Sequence, residues 1–137
     1  MQEKKHRIVI DTNLWISFLL TRDFTKLDLL LSTNQIVILV SQELIEEIVE
    51  VAERPKFRKY FDLFELTELL LNLQQNTQLI RVTTQVNVCR DYKDNFLLSL
   101  AIDGTASHIL TGDKDLLVLH PFDGIQVLTI QDYLSDK

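Results

Sequence analysis

Short apolar runs rich in β-branched residues alternate with helix-length segments, and that alternation most limits the fold. Ile8-Val9-Ile10, Ile36-Val37-Ile38-Leu39-Val40 and Ile109-Leu110 are apolar at every successive position. Strands of that kind are buried on both faces, as in parallel sheets covered by helices. The pattern predicts strand 7–11, helices 13–20 and 24–33, strand 36–40, helices 41–54 and 62–75, strand 79–82, helix 92–106, strand 108–111, a short helix 114–118, strand 125–128 and a last helical turn over 130–135. Ser41 suits an N-cap, and Pro55 falls just after the end of the helix it begins. Only three glycines and two prolines interrupt 137 residues, with no linker or repeat. The expectation is one α/β domain over 1–137.

Two of the strands end in an acid. Ile8-Val9-Ile10 runs into Asp11, with Thr12 and Asn13 behind it, and Ile109-Leu110-Thr111-Gly112 runs into Asp113. Ligands of open α/β sheets bind at the carboxyl ends of the strands. Two carboxylates brought to one such edge repel each other, which calls for a positive charge between them and points to a divalent metal.

Helix facing extends the pair. A helix advances roughly 100° per residue. In 41–54 the apolar stripe is Leu44, Ile45, Ile48, Val49, Val51 and Ala52. Glu47 lies at its edge, while Glu43, Glu46 and Glu50 read as a solvated face. In 92–106, Asp94 shares a face with Leu97, Leu98, Ala101 and Thr105. An acid on the apolar face of a first turn is unusual. It is either a buried partner of the helix N-terminus or a metal ligand. Asp91 reads as the N-cap and Asp103, on the opposite side, as an exposed residue. Asp113 and Asp115 both suit caps of the short helix. Asp113 is the stronger ligand candidate because it follows the strand directly, and Asp115 is an auxiliary. Thr12, Asn13 and Thr111 are candidate supports for the carboxylates.

Asp11, Glu47, Asp94 and Asp113 form an all-oxygen set, which selects Mg²⁺ or Mn²⁺ over zinc. Such ions suit phosphodiester hydrolysis. His6, His108 and His120 are scattered in sequence and read as structural or surface residues, not as an imidazole pair. Cys89 is the only cysteine, so neither an internal disulfide nor a thiolate cluster is available. No Ser-His-Asp order or Gly-rich phosphate loop is evident. No apolar run nears the roughly 20 residues of a membrane helix. The basic start passes straight into a strand, so a cytoplasmic location is expected. The net charge of −6, from 20 acids and 14 bases, argues against bulk-charge gripping of nucleic acid unless metal ions offset the converging acids.

At these residues the chain resembles the PIN-domain ribonucleases, in particular the toxin components of bacterial toxin–antitoxin systems (VapC-like). The matching pieces are Ile10-Asp11-Thr12-Asn13, Glu47 ahead of Arg54-Pro55-Lys56-Phe57, Asp91-Tyr92-Lys93-Asp94-Asn95, and Leu110-Thr111-Gly112-Asp113-Lys114-Asp115-Leu116-Leu117. They occur in the family's order over nearly the whole chain, and its acidic quartet falls on Asp11, Glu47, Asp94 and Asp113. The resemblance implies a three-layer α/β/α sandwich around a parallel sheet. It implies cleavage of single-stranded RNA with one or two Mg²⁺ or Mn²⁺ ions, leaving 5′-phosphate and 3′-hydroxyl ends. Asp115 matches an acid that sometimes joins the site. A homodimer and a cognate antitoxin protein are implied partners.

RNA needs a positive surface. Arg54, Lys56, Arg58 and Lys59 crowd the stretch after the Glu47 helix, with Phe57 and Tyr60 interleaved. That mixture suits phosphate contact and base stacking. It equally suits a solvated connection with Phe57 in the core. Lys4, Lys5 and Arg7 make a weaker patch. A haloacid-dehalogenase-like phosphatase would want a second Asp where Asn13 stands. A receiver domain would want a phospho-accepting Asp where strands 36–40 and 79–82 lead into Ser41 and Thr83. A catalytically silent PIN scaffold is the remaining alternative.

Overall fold

The computed structural model describes residues 5–21, 23–32, 35–59, 64, 67, 68, 71 and 76–135. Five strands, β1 (His6–Ile10), β2 (Ile36–Val40), β3 (Thr77–Leu79), β4 (His108–Leu110) and β5 (Gln126–Leu128), form one sheet in the order β3-β2-β1-β4-β5. Every pairing is parallel, with Val9 opposite Leu39 on one side and Ile109 on the other. Ile8, Val9 and Ile10 are all fully buried. Successive strand residues face opposite ways, so both faces of the sheet are covered. The result is the expected three-layer α/β/α sandwich.

Among the described residues the helices with defined bounds are α1 (Thr12–Thr21), α2 (Thr25–Leu31), α3 (Gln42–Ala52), α4 (Pro55–Arg58), α5 (Tyr92–Asp103), α6 (Lys114–Leu117) and α7 (Ile130–Ser135). α1 packs on α3, α2 on α7, and α5 directly on β1 and β2. The Ser41 Oγ accepts from the Leu44 N–H at 3.0 Å and starts α3, while Pro55 opens the separate α4. The helix expected over 62–75 falls, apart from isolated positions, outside the described residues, as does Tyr60. Among the described residues no helix is long and apolar enough to cross a membrane.

Most element boundaries fall within two residues of expectation, and two ends shift by three. The strand placed at 79–82 lies at Thr77–Leu79. After the Ile80 N–H reaches the Val40 carbonyl at 2.7 Å, the chain leaves the sheet and runs along α5. Helix α5 stops at Asp103 instead of 106, because Gly104 caps it and Thr105 takes φ 50°. Gly104 sits so close to the sheet that a Cβ there would meet Leu39 Cδ1 at 2.7 Å and the Leu100 carbonyl at 3.1 Å.

The chain winds outward from β1 through β2 to β3, then returns to the other side for β4 and β5. The direction of winding therefore reverses between β1 and β4. The crevice beyond the carboxyl ends of those two strands is where such sheets take their ligands.

Candidate active site

Asp11 and Asp113 stand at that reversal and are tied together by one hydroxyl. The Thr111 side chain, 1% exposed, donates to Asp11 Oδ2 at 2.7 Å and accepts from the Asp113 N–H at 3.0 Å. The Asp11 N–H still bonds the Leu110 carbonyl, and its own carbonyl accepts from Leu14 and Trp15, starting α1. Burial raises the Asp11 carboxyl above its ordinary range. The charges of Asp113 and Glu47 add to the rise, while hydrogen bonds from Thr111 and the Asn13 backbone oppose it. Asp113 also caps α6, accepting from the Asp115 N–H at 2.9 Å.

Glu47 reaches the same place from α3. Buried Thr12 donates to its Oε2 at 2.9 Å, and the Lys93 ammonium stands 3.6 Å from Oε1. Both carboxylate oxygens are thus engaged from other elements.

Asp94 lies in the first turn of α5, with Asp91 as N-cap accepting from the Lys93 N–H at 2.9 Å. Burial pushes the Asp94 carboxyl up to about 6, helped by the charges of Asp113, Asp91, Asp11 and Asp115. The carboxylates around it therefore oppose its ionisation, and that repulsion is what a bound cation would relieve.

All four acids line one cavity of about 350 Å³, together with Thr12, Asn13, Asp91 and Lys93. Arg54, Lys56 and Phe57 also line it, and Phe57 is half-buried against the core. Arg58 and Lys59 are exposed and do not line it. Asp115 is outside the lining as well, and its carboxylate lies 3.8 Å from exposed Arg90. The donor chemistry fits a hard divalent cation. Among the described residues, however, no three His, Cys, Asp or Glu side chains stand together closely enough to hold one ion. Lys93 lies on Glu47, and Asp113 commits an oxygen to its own helix. The four acids thus share one cavity without forming a closed cation site among the described residues.

Facing arguments missed the device that carries Asp94. Asn95, Ser99 and Asp103 recur every fourth residue along α5 and bind the backbone of the segment after β3. Asn95, 8% exposed, accepts from the Val88 and Cys89 N–H groups at 3.0 and 2.7 Å and donates to the Cys89 carbonyl at 2.9 Å. Ser99 accepts from the Val86 N–H at 3.0 Å. Asp103, expected to be a plain exposed residue, accepts from the Thr83 N–H at 2.6 Å and from the Thr84 N–H at 2.9 Å. From Thr83 to Cys89 these bonds occupy backbone N–H groups that a strand neighbour would otherwise use. The only available signal was the four-residue spacing of polar groups.

The histidines also meet in a way their sequence positions conceal. His6 and His108 have ring centroids 4.7 Å apart, and Tyr133 packs edge-on to His108 at 4.8 Å. They sit at the amino end of the sheet, away from the acids.

Residues 7–115 match the PIN domain family. Over 123 residues the chain is 35% identical to an uncharacterized protein of the archaeon Methanocaldococcus jannaschii, covering 87% of this chain and 78% of that protein. The sheet order β3-β2-β1-β4-β5 also differs from the 2-1-3-4-5 order of receiver-type sheets, which removes that alternative. With a parallel sheet whose reversal point carries acids from β1, α3, α5 and the end of β4, this chain belongs to the PIN domain family, a nuclease superfamily.

Proposed function

We propose that the chain is a single-domain, metal-dependent endoribonuclease that hydrolyses phosphodiester bonds of single-stranded RNA. The observation that carries this is the convergence of Asp11, Glu47, Asp94 and Asp113 on one cavity. In this reading the four carboxylates hold Mg²⁺ or Mn²⁺. The chemistry such an ion supplies is Lewis-acid polarisation of a phosphoryl oxygen. Thr111 and Thr12 hold the Asp11 and Glu47 carboxylates in orientation. Asn95 fixes the first turn of α5, and with it Asp94. Arg54 and Lys56 offer positive charge at the cavity wall, and Phe57 offers a ring for a base. Arg58 and Lys59 extend that charge outside it.

The biological reading is a cytoplasmic toxin of a toxin–antitoxin pair, acting as a homodimer and restrained by an antitoxin that covers the acidic cavity. The test is cleavage of an end-labelled single-stranded RNA with Mg²⁺ or Mn²⁺. Activity that survives EDTA, or the Asp11→Asn/Asp94→Asn double variant, sinks the mechanism. Growth arrest on induction, relieved by co-expressing a neighbouring small gene, supports the toxin role. No arrest counts against it. A silent binding scaffold is the second reading, favoured by the open arrangement of the acids and by Lys93 on Glu47. RNA binding without any cleavage would establish it.

A further inference from the structure

The cavity wall carries three cations, and they are held differently. Arg54 pairs outward with Glu50 at 3.6 Å, and both are well exposed. Lys56 lies over the Phe57 ring, 5.2 Å from its centroid. Lys93 pairs with Glu47 at 3.6 Å, with the two side chains only 34% and 22% exposed. Glu47's other oxygen takes the Thr12 hydroxyl. Lys93 also stands directly before Asp94 in the first turn of α5. Among the described residues its ammonium is therefore the one positive charge on the wall ion-paired to an acid of the quartet.

We propose that Lys93 is a displaceable counter-ion: it neutralises Glu47 until that carboxylate is given up to a divalent cation, and it then serves a phosphate oxygen of the nucleic acid. This rests on the nuclease reading above. An ammonium and a divalent cation cannot share one carboxylate without strong repulsion in a partly buried place. Occupation of Glu47 by Lys93 thus opposes metal entry. Once displaced, the ammonium lies beside like charge, and an incoming phosphate is the anion that can receive it. One residue would couple metal loading to substrate engagement.

The test is calorimetric titration of the metal-free protein with Mn²⁺, for wild type, Lys93→Met, Lys93→Arg and Arg54→Met. Lys93→Met should bind Mn²⁺ about three- to tenfold more tightly than wild type, the scale of a partly exposed ion pair. Arg54→Met should change less, and Lys93→Arg should stay near wild type. Should Lys93→Met fail to fold, Lys93→Gln takes its place with the same expectation. For a short RNA, KM should rise in the neutral variant although metal binds better. Equal Mn²⁺ affinity in wild type and the neutral Lys93 variant, or an unchanged KM in that variant, overturns the proposal. A wild type that binds no Mn²⁺ at all sinks the metal reading itself, a separate outcome.

Discussion

Helix α5 carries an aspartate near each end, and the protein treats them in opposite ways. Asp94, in the first turn, is pushed up to about 6 by burial and by four neighbouring carboxylates. Asp103, in the last turn, is held below the ordinary carboxylate range by the Thr84 hydroxyl and the Thr84 and Thr83 N–H groups. The helix dipole alone would favour the reverse, since anions are stabilised at the N-terminus and disfavoured at the C-terminus. Its worth is about 0.3–1 kcal/mol near a surface, and local burial and hydrogen bonding outweigh it at both ends. Asp103 is satisfied and holds a loop. Asp94 is left crowded by like charge, a cost that the proposed cation would relieve. The contrast sets a hydrogen-bonded acid against a crowded one within twelve residues of helix.

The largest expected effect is on activity. Asp94→Asn should lower the rate of RNA cleavage by on the order of 10³-fold or more, because a ligand is lost from the metal chemistry. Asp103→Asn should leave the rate within a few-fold. Steady-state cleavage of one labelled RNA by both variants decides it, and equal losses would erase the distinction between the two ends.

Next in size is the loop that α5 fastens. Asn95→Ala removes three hydrogen bonds at a buried side chain. It should cost about 2 kcal/mol, roughly 6–10 °C in Tm for a chain of this length. Thermal melting followed by circular dichroism measures it. A change within error would mean the loop needs no anchor there.

The pH dependence of the two aspartates should have opposite signs. Asp103 has a lowered folded pKa, so its stabilisation is present above the ordinary 3.8 and lost as pH falls through the folded value. Asp103→Ala should therefore lower Tm at neutral pH and matter progressively less in acid. Asp94 has a raised folded pKa, so stability is full below about 4 and is lost as pH rises through about 6. In metal-free protein Asp94→Asn should add about 1 kcal/mol of stability at pH 8 after solvent screening, seen as a higher Tm, and leave Tm unchanged at pH 4. Melts of both variants across that range check the signs. A destabilised Asp94→Asn at pH 8 would mean that the carboxylate is satisfied after all.

Part of this pattern was legible in the sequence because it is local. Strand ends locate Asp11 and Asp113, and helix periodicity puts Asp94 on the inner face and Glu47 at its edge. Ser41 and Asp91 announce their caps. The rest depends on contacts between distant segments. Asp103 looks like any polar residue at a helix end until Thr83 and Thr84 arrive beneath it. The strand expected at 79–82 ends at Leu79, and from Thr83 onward α5 side chains take backbone N–H groups that a strand neighbour would use. Lys93 on Glu47 and His6 on His108 likewise join segments that only the sheet brings together.

On the proposed reading Asp94 is held crowded for a cation and Asp103 is not. Calorimetric titration of Mn²⁺ into metal-free wild type, Asp94→Asn and Asp103→Asn tests it most directly. Wild type and Asp103→Asn should bind with equal affinity, and Asp94→Asn should lose at least about tenfold. Unchanged Mn²⁺ binding by Asp94→Asn would contradict it.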